Sequence, residues 1–254
     1  MSRMGVGGME LTGTDELLVS GGVKLPLMVY RPETNLPVPA VVVCCGGQGT
    51  GMFEVMEWIG KSLQRAGILA VTISWRGSSP EFDVEDASLA ADWLASQKGV
   101  DPDRIAIFGM SRGGNAALRA GALDSRFKVV VTFAAVTDFL QQAEGTVLYA
   151  PGRHKLLVNW LGDPKTNRDF YVRVQAISYA ERIKCPVLMV HGLNDMISPV
   201  EQSIWMCDAI KLAGNPNVQL QTVPMMGHFG DMIPNTYGFK QLSEIIVPYI
   251  HQNM

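Results

Sequence analysis

The sequence predicts an α/β fold: a mostly parallel central sheet with helices on both faces and a small inserted excursion. Three observations carry this. Strand candidates are continuous apolar runs rather than alternating ones, as in strands buried on both faces. Helix-periodic segments separate them one by one. A length of 254 residues with 47% hydrophobic residues suits one undivided domain, 1–254, around a sizeable core.

The Gly- and Met-rich stretch Met1 to Gly13 reads as a poorly ordered tail. Val23 to Tyr30 reads as a strand entering from an N-terminal hairpin, and Ala40 to Cys45 as a wholly apolar strand. Phe53 to Ala66 is helix-periodic and closed by Gly67; Ile68 to Ser74 is the next strand. Asp83 to Lys98 has acidic residues in its first turn and Gly99 after its end, both helix signals. After the turn Asp101-Pro102-Asp103-Arg104 come the buried strand Ile105 to Phe108 and a helix rich in Ala and Leu from Asn115. Lys128 to Phe133 and Pro186 to Val190 are strands, Pro199 to Ala213 a helix, Val218 to Val223 a strand, and Phe239 to His251 the last helix. Between them, Asp138 to Ala180 has no clean strand pattern and carries Tyr149, Trp160, Phe170 and Tyr171. A segment this long reads as a cap or lid at about 138–180, with a packed connection as the plainer alternative.

Gly109-Met110-Ser111-Arg112-Gly113 stands between the apolar run ending at Phe108 and the following helix. A short motif of this kind arises by chance, so its strand-turn-helix context carries the argument. A serine at such a sharp turn projects its hydroxyl from the sheet edge, and flanking glycines let neighbouring chain approach. Unpaired amides of the following helix lie near any oxyanion formed there. Ser111 is therefore the candidate nucleophile.

A serine hydroxyl needs a base, and the base needs an orienting acid. Of the four histidines, His154 lies in the excursion, His191 closes a strand and His251 sits in the last helical turn. His228 follows a late strand in the loop Met226-Gly227-His228-Phe229-Gly230 and is the candidate base. Asp195, in His191-Gly192-Leu193-Asn194-Asp195, follows a central strand and lies between Ser111 and His228 in the chain, giving the order Ser, acid, His. Asp138 competes for the role but suits a turn or pocket position, and Asp231 is too local to orient His228. For the oxyanion hole, Gly46-Gly47-Gln48-Gly49 leaves amides of Gly47 or Gln48 uncovered, with the Arg112 amide as partner. The same loop lacks the lysine of a phosphate-binding loop, since Gly49-Thr50-Gly51 leads to Met52. Trp160, Tyr149 and Phe170 are candidate pocket walls, with core packing as the alternative.

A net charge of −3 offers no basic field for nucleic acid. No segment approaches the roughly 18 apolar residues of a membrane span, and the N-terminus lacks a signal-peptide core, so the expected location is cytoplasmic. Cys44, Cys45, Cys185 and Cys207 read as buried thiols; no metal-ligand spacing appears and no cofactor is implied. Expected partners are a small-molecule acyl substrate, without nucleic acid or membrane, and self-association into a homo-oligomer is compatible with the sequence.

Ordered blocks extend the motif: Pro39 to Val43, Trp75-Arg76-Gly77-Ser78, Glu85-Asp86, Asp101 to Ile105, Gly109 to Gly114, Lys184 to Leu188, His191 to Asp195 and Gly227-His228. Through them most of the chain resembles the α/β-hydrolase superfamily, and is similar to the catalytic domains of prolyl oligopeptidase-type (S9) serine peptidases and to dienelactone-hydrolase-like esterases. The resemblance implies the α/β-hydrolase fold, a Ser111–Asp195–His228 triad and an acyl-enzyme route. Cys45-Gly46-Gly47-Gln48 stands where relatives often have His-Gly-Gly-Pro. Arg112 replaces a frequent tyrosine, either as a cation flanking the acyl site or as a surface arginine at a helix start. A chain of this length leaves no room for the β-propeller of the oligopeptidases, so a carboxylesterase is expected ahead of a peptidase, thioesterase, amidase or carbon–carbon hydrolase. A non-catalytic binding protein on the same fold is the alternative from another class.

Overall fold

The computed structural model describes residues 13–34, 37–48, 53–230 and 237–254, without the side chains of 147–149 and 237. Tail residues 1–12, the Tyr149 side chain, Gly49 to Met52 and Asp231 lie outside the described residues.

Eight strands form one sheet: β1 (Thr14–Ser20), β2 (Val23–Tyr30), β3 (Val38–Cys44), β4 (Leu69–Ile73), β5 (Val100–Met110), β6 (Phe127–Phe133), β7 (Val187–Gly192) and β8 (Val218–Val223). Their order is β1-β2-β4-β3-β5-β6-β7-β8. The β1–β2 hairpin and the β2–β4 pair are antiparallel, whereas every neighbour pair from β4 through β3 to β8 is parallel. Parallel strands joined by crossovers expose all their carboxyl ends at one edge, where ligands of open α/β sheets bind.

Among the described residues, five helices cover the sheet: α1 (Phe53–Arg65), α2 (Asp83–Ser96), α3 (Arg112–Leu123), α7 (Glu201–Leu212) and α8 (Tyr237–Asn253). Residues of α2, α3 and α7 share one buried cluster with one face of the strands, exemplified by Val42, Ile107, Leu94 and Met206. Those of α1 and α8 share the cluster on the opposite face with Val43, Phe108, Ile59 and Ile246. The alternation Val42/Val43 and Ile107/Phe108 between the two clusters is the period-2 geometry of a strand covered on both sides. All four cysteines are free thiols, three of them buried. Among the described residues no helix is long and apolar enough to cross a membrane.

Two expectations need correction. The segment Asp101 to Arg104 is no separate turn before the strand: β5 begins at Val100, and the partners of β3 jump from Val38↔Val100 to Ala40↔Ile105. Asp101 holds this irregularity together locally, accepting from the Asp103 amide (3.0 Å) and from Arg104 Nε (2.7 Å). The excursion between β6 and β7 is helical rather than irregular, with α4 (Phe139–Tyr149), α5 (Pro151–Leu161), α6 (Arg168–Val174) and a 3-10 segment, Ala176–Arg182. Asp138 caps α4 by accepting from the Gln141 amide, and Pro151 opens α5, where a missing N–H costs nothing. These helices bury a cluster of their own, including Phe139, Leu157, Leu161 and Tyr171.

Candidate active site

Ser111 sits between the end of β5 and the first residue of α3 with φ 56° and ψ −118°, a conformation that costs a non-glycine residue about 1–3 kcal/mol. Neighbouring chain holds it there. Its amide donates to the Phe133 carbonyl (3.0 Å), and its carbonyl accepts from the Asn115 and Val136 amides (3.2 and 3.3 Å). The framing glycines are required by space: a Cβ on Gly109 would lie 2.0 Å from the Gly113 carbonyl oxygen, and one on Gly113 would lie 2.1 Å from the Cys44 carbonyl oxygen. Side chains there would push α3 off β3 and β5.

The loops after β7 and β8 bring Asp195 and His228 to the same edge. The Leu193 and Asn194 amides donate to the Val223 and Met226 carbonyls (both 3.0 Å), which stitches the acid's loop to the histidine's. Gly192 permits this approach, since a Cβ there would lie 2.2 Å from the Met226 carbonyl oxygen. His228 Nδ1–H then donates to Asp195 Oδ2 (2.7 Å), while Nε2 lies 3.0 Å from Ser111 Oγ, placed to accept its proton. Because a carboxylate only accepts, the Asp195 contact puts the ring proton on Nδ1 and leaves Nε2 free as base. Residues 117 and 33 positions apart thus form one hydrogen-bonded chain.

Asp195 is buried, which alone would lift its carboxyl. Hydrogen bonds from His191, His228 and the Ser198 amide outweigh that cost and hold it well below the usual carboxylate range. Oδ1 accepts from the Ile197 and Ser198 amides (both 2.8 Å), and Oδ2 faces two imidazoles, with His191 Nε2 at 3.3 Å beside His228 Nδ1 at 2.7 Å. His191 is fully buried: Nε2–H donates to the Ser198 carbonyl (2.7 Å) and Nδ1 accepts from Ser203 Oγ (2.7 Å). Its place on the acid was missed in the sequence, although the i, i+4 spacing of His191 and Asp195 across a glycine turn was the available signal.

Arg112 is neither a surface residue nor a free cation. It is 2% exposed and grips Asp83 through two bonds, Nε–Oδ2 at 2.9 Å and Nη2–Oδ1 at 2.6 Å. The rest of its fork donates to the Gly47, Gly77 and Ser79 carbonyls (3.3, 3.2 and 3.1 Å). Trp75 and Trp160 both contact the guanidinium, at 5.1 and 5.5 Å from ring centroids. Trp75 Nε1 also donates to the Cys45 carbonyl (3.1 Å), so side chains fix the Cys45 and Gly47 carbonyls of the glycine loop. Gly46, Gly47 and Gln48 line the same cavity as Ser111 and His228, on the side where oxyanion donors were expected.

That cavity measures about 330 Å³ and runs beneath α4 and α5. Trp160 forms part of its wall and ties α5 to the body by donating Nε1–H to the Ser78 carbonyl (2.6 Å). Phe170 is a correction: it packs on the excursion's own cluster with Arg173 over its ring, and α6 contributes nothing to the cavity lining. Asp138, the rival acid, is occupied as the cap of α4. Among the described residues no group of three or more metal-ligating side chains assembles.

A family model described as the prolyl oligopeptidase family matches residues 57–245. Dipeptidyl-peptidase 5 of Porphyromonas gingivalis is 28% identical over 226 residues, covering 79% of this chain but 32% of that protein. 2,6-Dihydropseudooxynicotine hydrolase of Paenarthrobacter nicotinovorans is 23% identical over 189 residues, covering 71% of this chain and 50% of that one. The chain thus spans 32% and 50% of the lengths of these two relatives. In structure it is similar to a puromycin-hydrolyzing peptidase of Mycobacterium tuberculosis (TM-score 0.79, 24% identity, 95% of this chain and 39% of that one). It is also similar in fold to a thermophilic esterase of Thermogutta terrifontis (TM-score 0.73, 20% identity, 95% of this chain and 92% of that one). With the family model matching well over half of its length, the chain belongs to the prolyl oligopeptidase family and has the α/β-hydrolase fold.

Proposed function

We propose that the protein is a serine esterase that cleaves a carboxylic ester through Ser111, His228 and Asp195. The observation that carries this reading is His228 standing between the other two, 2.7 Å from Asp195 and 3.0 Å from Ser111. His228 Nε2 takes the hydroxyl proton as Ser111 Oγ attacks the ester carbonyl, and the new imidazolium is stabilised by Asp195. The amides of Arg112 and of Gly47 or Gln48 receive the oxyanion, each worth about 3 kcal/mol. His228 then protonates the departing alkoxide, leaving an acyl-Ser111. Water, deprotonated by His228, releases the acid and restores Ser111.

Ester ahead of peptide is favoured by the lining of the cavity. A peptidase that grips a free amino terminus needs a carboxylate to pair the ammonium, and among the described residues the lining holds no Asp or Glu. The helices α4 and α5 act as a cap that keeps water from the acyl-enzyme. The test is labelling by a fluorophosphonate together with hydrolysis of p-nitrophenyl esters and of aminoacyl anilides, in wild type, Ser111→Ala and His228→Ala. Expected is labelling of the wild type alone, with ester turnover exceeding anilide turnover. Labelling of Ser111→Ala equal to wild type would remove Ser111 as nucleophile, and anilide turnover above ester turnover would make the protein a peptidase.

A further inference from the structure

The cavity beside Ser111 holds two guanidinium groups, those of Arg112 and Arg153, and among the described residues no Asp or Glu lines it. Arg112 is neutralised by Asp83 and has its fork filled with carbonyls. Arg153, on α5, is different. Half-buried in the wall, its side chain has one acceptor among the described residues, the Ile197 carbonyl, and no carboxylate within ion-pair distance. A guanidinium carries five N–H donors, so most of this fork is left for something else.

Gln142, on α4, stands beside it. Its Nε2 donates to the same Ile197 carbonyl (2.6 Å), while Oε1 is buried without a partner among the described residues. Much of the lining is apolar, Val136, Phe139, Leu157 and Ile197 among it. A guanidinium partly buried in an apolar wall interacts more strongly with an anion than one in open solvent. An anionic group that binds in the cavity would gain that interaction.

We infer that the cavity selects an ester with a hydrocarbon body and a carboxylate at its far end, received by Arg153 with its fork braced on the Ile197 carbonyl. A carboxylate fits better than a phosphate. One guanidinium balances a single charge and matches carboxylate geometry with two parallel bonds, whereas a phosphate dianion would leave excess negative charge among Phe139, Leu157 and Val136. The inference rests on Ser111 being the acyl acceptor in one arm of its test only.

Two substrate series are compared in wild type, Arg153→Met and Arg153→Lys. One contains p-nitrophenyl half-esters of dicarboxylic acids of graded length against neutral alkanoate esters. The other contains acetyl esters of ω-hydroxy acids against acetyl esters of plain alkanols. In at least one series the wild type should prefer the carboxylated member in kcat/KM by about ten- to a hundredfold, the size of a charge-assisted hydrogen bond. Arg153→Met should lose that preference, the ratio of kcat/KM for charged over neutral members falling to about one whatever happens to turnover in general, and Arg153→Lys should restore part of it. Calorimetry provides the arm that needs no turnover: n-alkanoates should bind wild type more tightly than n-alkanols of equal length, and Arg153→Met should abolish the difference. If no ester is hydrolysed, the esterase reading fails while calorimetry still decides the carboxylate site. An equal response to charged and neutral members in the wild type, or a preference that survives in Arg153→Met, overturns the inference.

Discussion

Two regions meet at the cavity, and they are built on different principles. The floor, where β3, β5, α3 and the loops after β7 and β8 converge, is defined by backbone approaching backbone, with glycines at Gly109, Gly113 and Gly192 where a methyl group would lie 2.0–2.2 Å from a carbonyl oxygen. The roof, α4 to α6, is defined by side chains: a small apolar cluster of its own, the Trp160–Ser78 hydrogen bond, and the Gln142 and Arg153 contacts to Ile197. The difference teaches where tolerance lies. A floor made of main chain holds reacting atoms to fractions of an ångström and accepts almost no substitution; a roof made of side chains can change its chemistry while the floor stays put.

The largest effect should come from Gly113→Ala. Its Cβ would have to displace the Cys44 and Cys45 carbonyls, the latter 2.7 Å away, and both belong to the central strand end beside the candidate oxyanion loop. Overpacking against rigid backbone should cost about 3 kcal/mol or more, and the variant should be insoluble or should lose fluorophosphonate labelling altogether. A Gly113→Ala protein with wild-type melting and labelling would break the comparison at its root.

Next in size is Asp83→Ala, which strands a guanidinium that is 2% exposed. Breaking a buried pair from one side should destabilise by about 3–5 kcal/mol, read from denaturant unfolding. The double variant Asp83→Leu/Arg112→Met should recover much of that loss, because the desolvation of both charges disappears with them. Ester turnover should nonetheless stay low in the double variant, since the Gly47 carbonyl loses the donor that orients its loop. Recovery of stability and of turnover together would show that Arg112 serves packing alone.

Acid sensitivity should also originate in the floor. The Asp195 carboxyl is held below its ordinary value in the folded protein, so its contribution to stability is fully present above the unfolded carboxyl pKa of about 4 and is lost as pH falls through the folded value. Asp195→Asn should therefore flatten the fall of unfolding free energy between about pH 4 and lower values relative to wild type. An unchanged slope in that window would mean that the bonds from His191, His228 and the two amides do not favour the ionised form.

Legibility in the sequence follows the same division. Main-chain crowding requires glycine, and a hydroxyl at a strained turn requires flanking small residues, so Ser111, the order of Asp195 and His228, and the glycine loop could all be read before any coordinates. Strand and helix order was equally open, because buried parallel strands leave unbroken apolar runs such as Val41 to Cys45. What stayed hidden depends on side chains meeting across the fold. Nothing local to Arg112 shows that Asp83, 29 residues earlier, neutralises it. For His191 the i, i+4 spacing to Asp195 was a local signal, but that the same carboxylate also receives His228, 33 residues further on, is not local to either. The helices of the roof carried their signals in Asp138 and Pro151, an N-cap and a first-turn proline, but their apolar positions face a cluster too small to impose a strong period. Phe170 looked like a pocket wall for the same reason: an aromatic in the excursion can face either the cavity or that cluster.

The smallest expected effect on stability lies at the joint between the two regions. Trp160→Phe keeps an aromatic ring for the edge contact with Phe139, whose ring centroid is 5.4 Å away, but removes the Nε1–H donated to the Ser78 carbonyl. One neutral hydrogen bond at a partly exposed site is worth about 1 kcal/mol, so the melting temperature should fall by only a few degrees. The consequence for the roof should be out of proportion, because this bond joins α5 directly to the loop whose Gly77 and Ser79 carbonyls are held by Arg112. Hydrogen exchange should accelerate in 139–161 and stay unchanged in β5 and α3, and KM should rise several-fold with kcat moved less. Faster exchange in α3 as well would mean that floor and roof open as one unit, and that the backbone-built floor is only as rigid as the side chains above it.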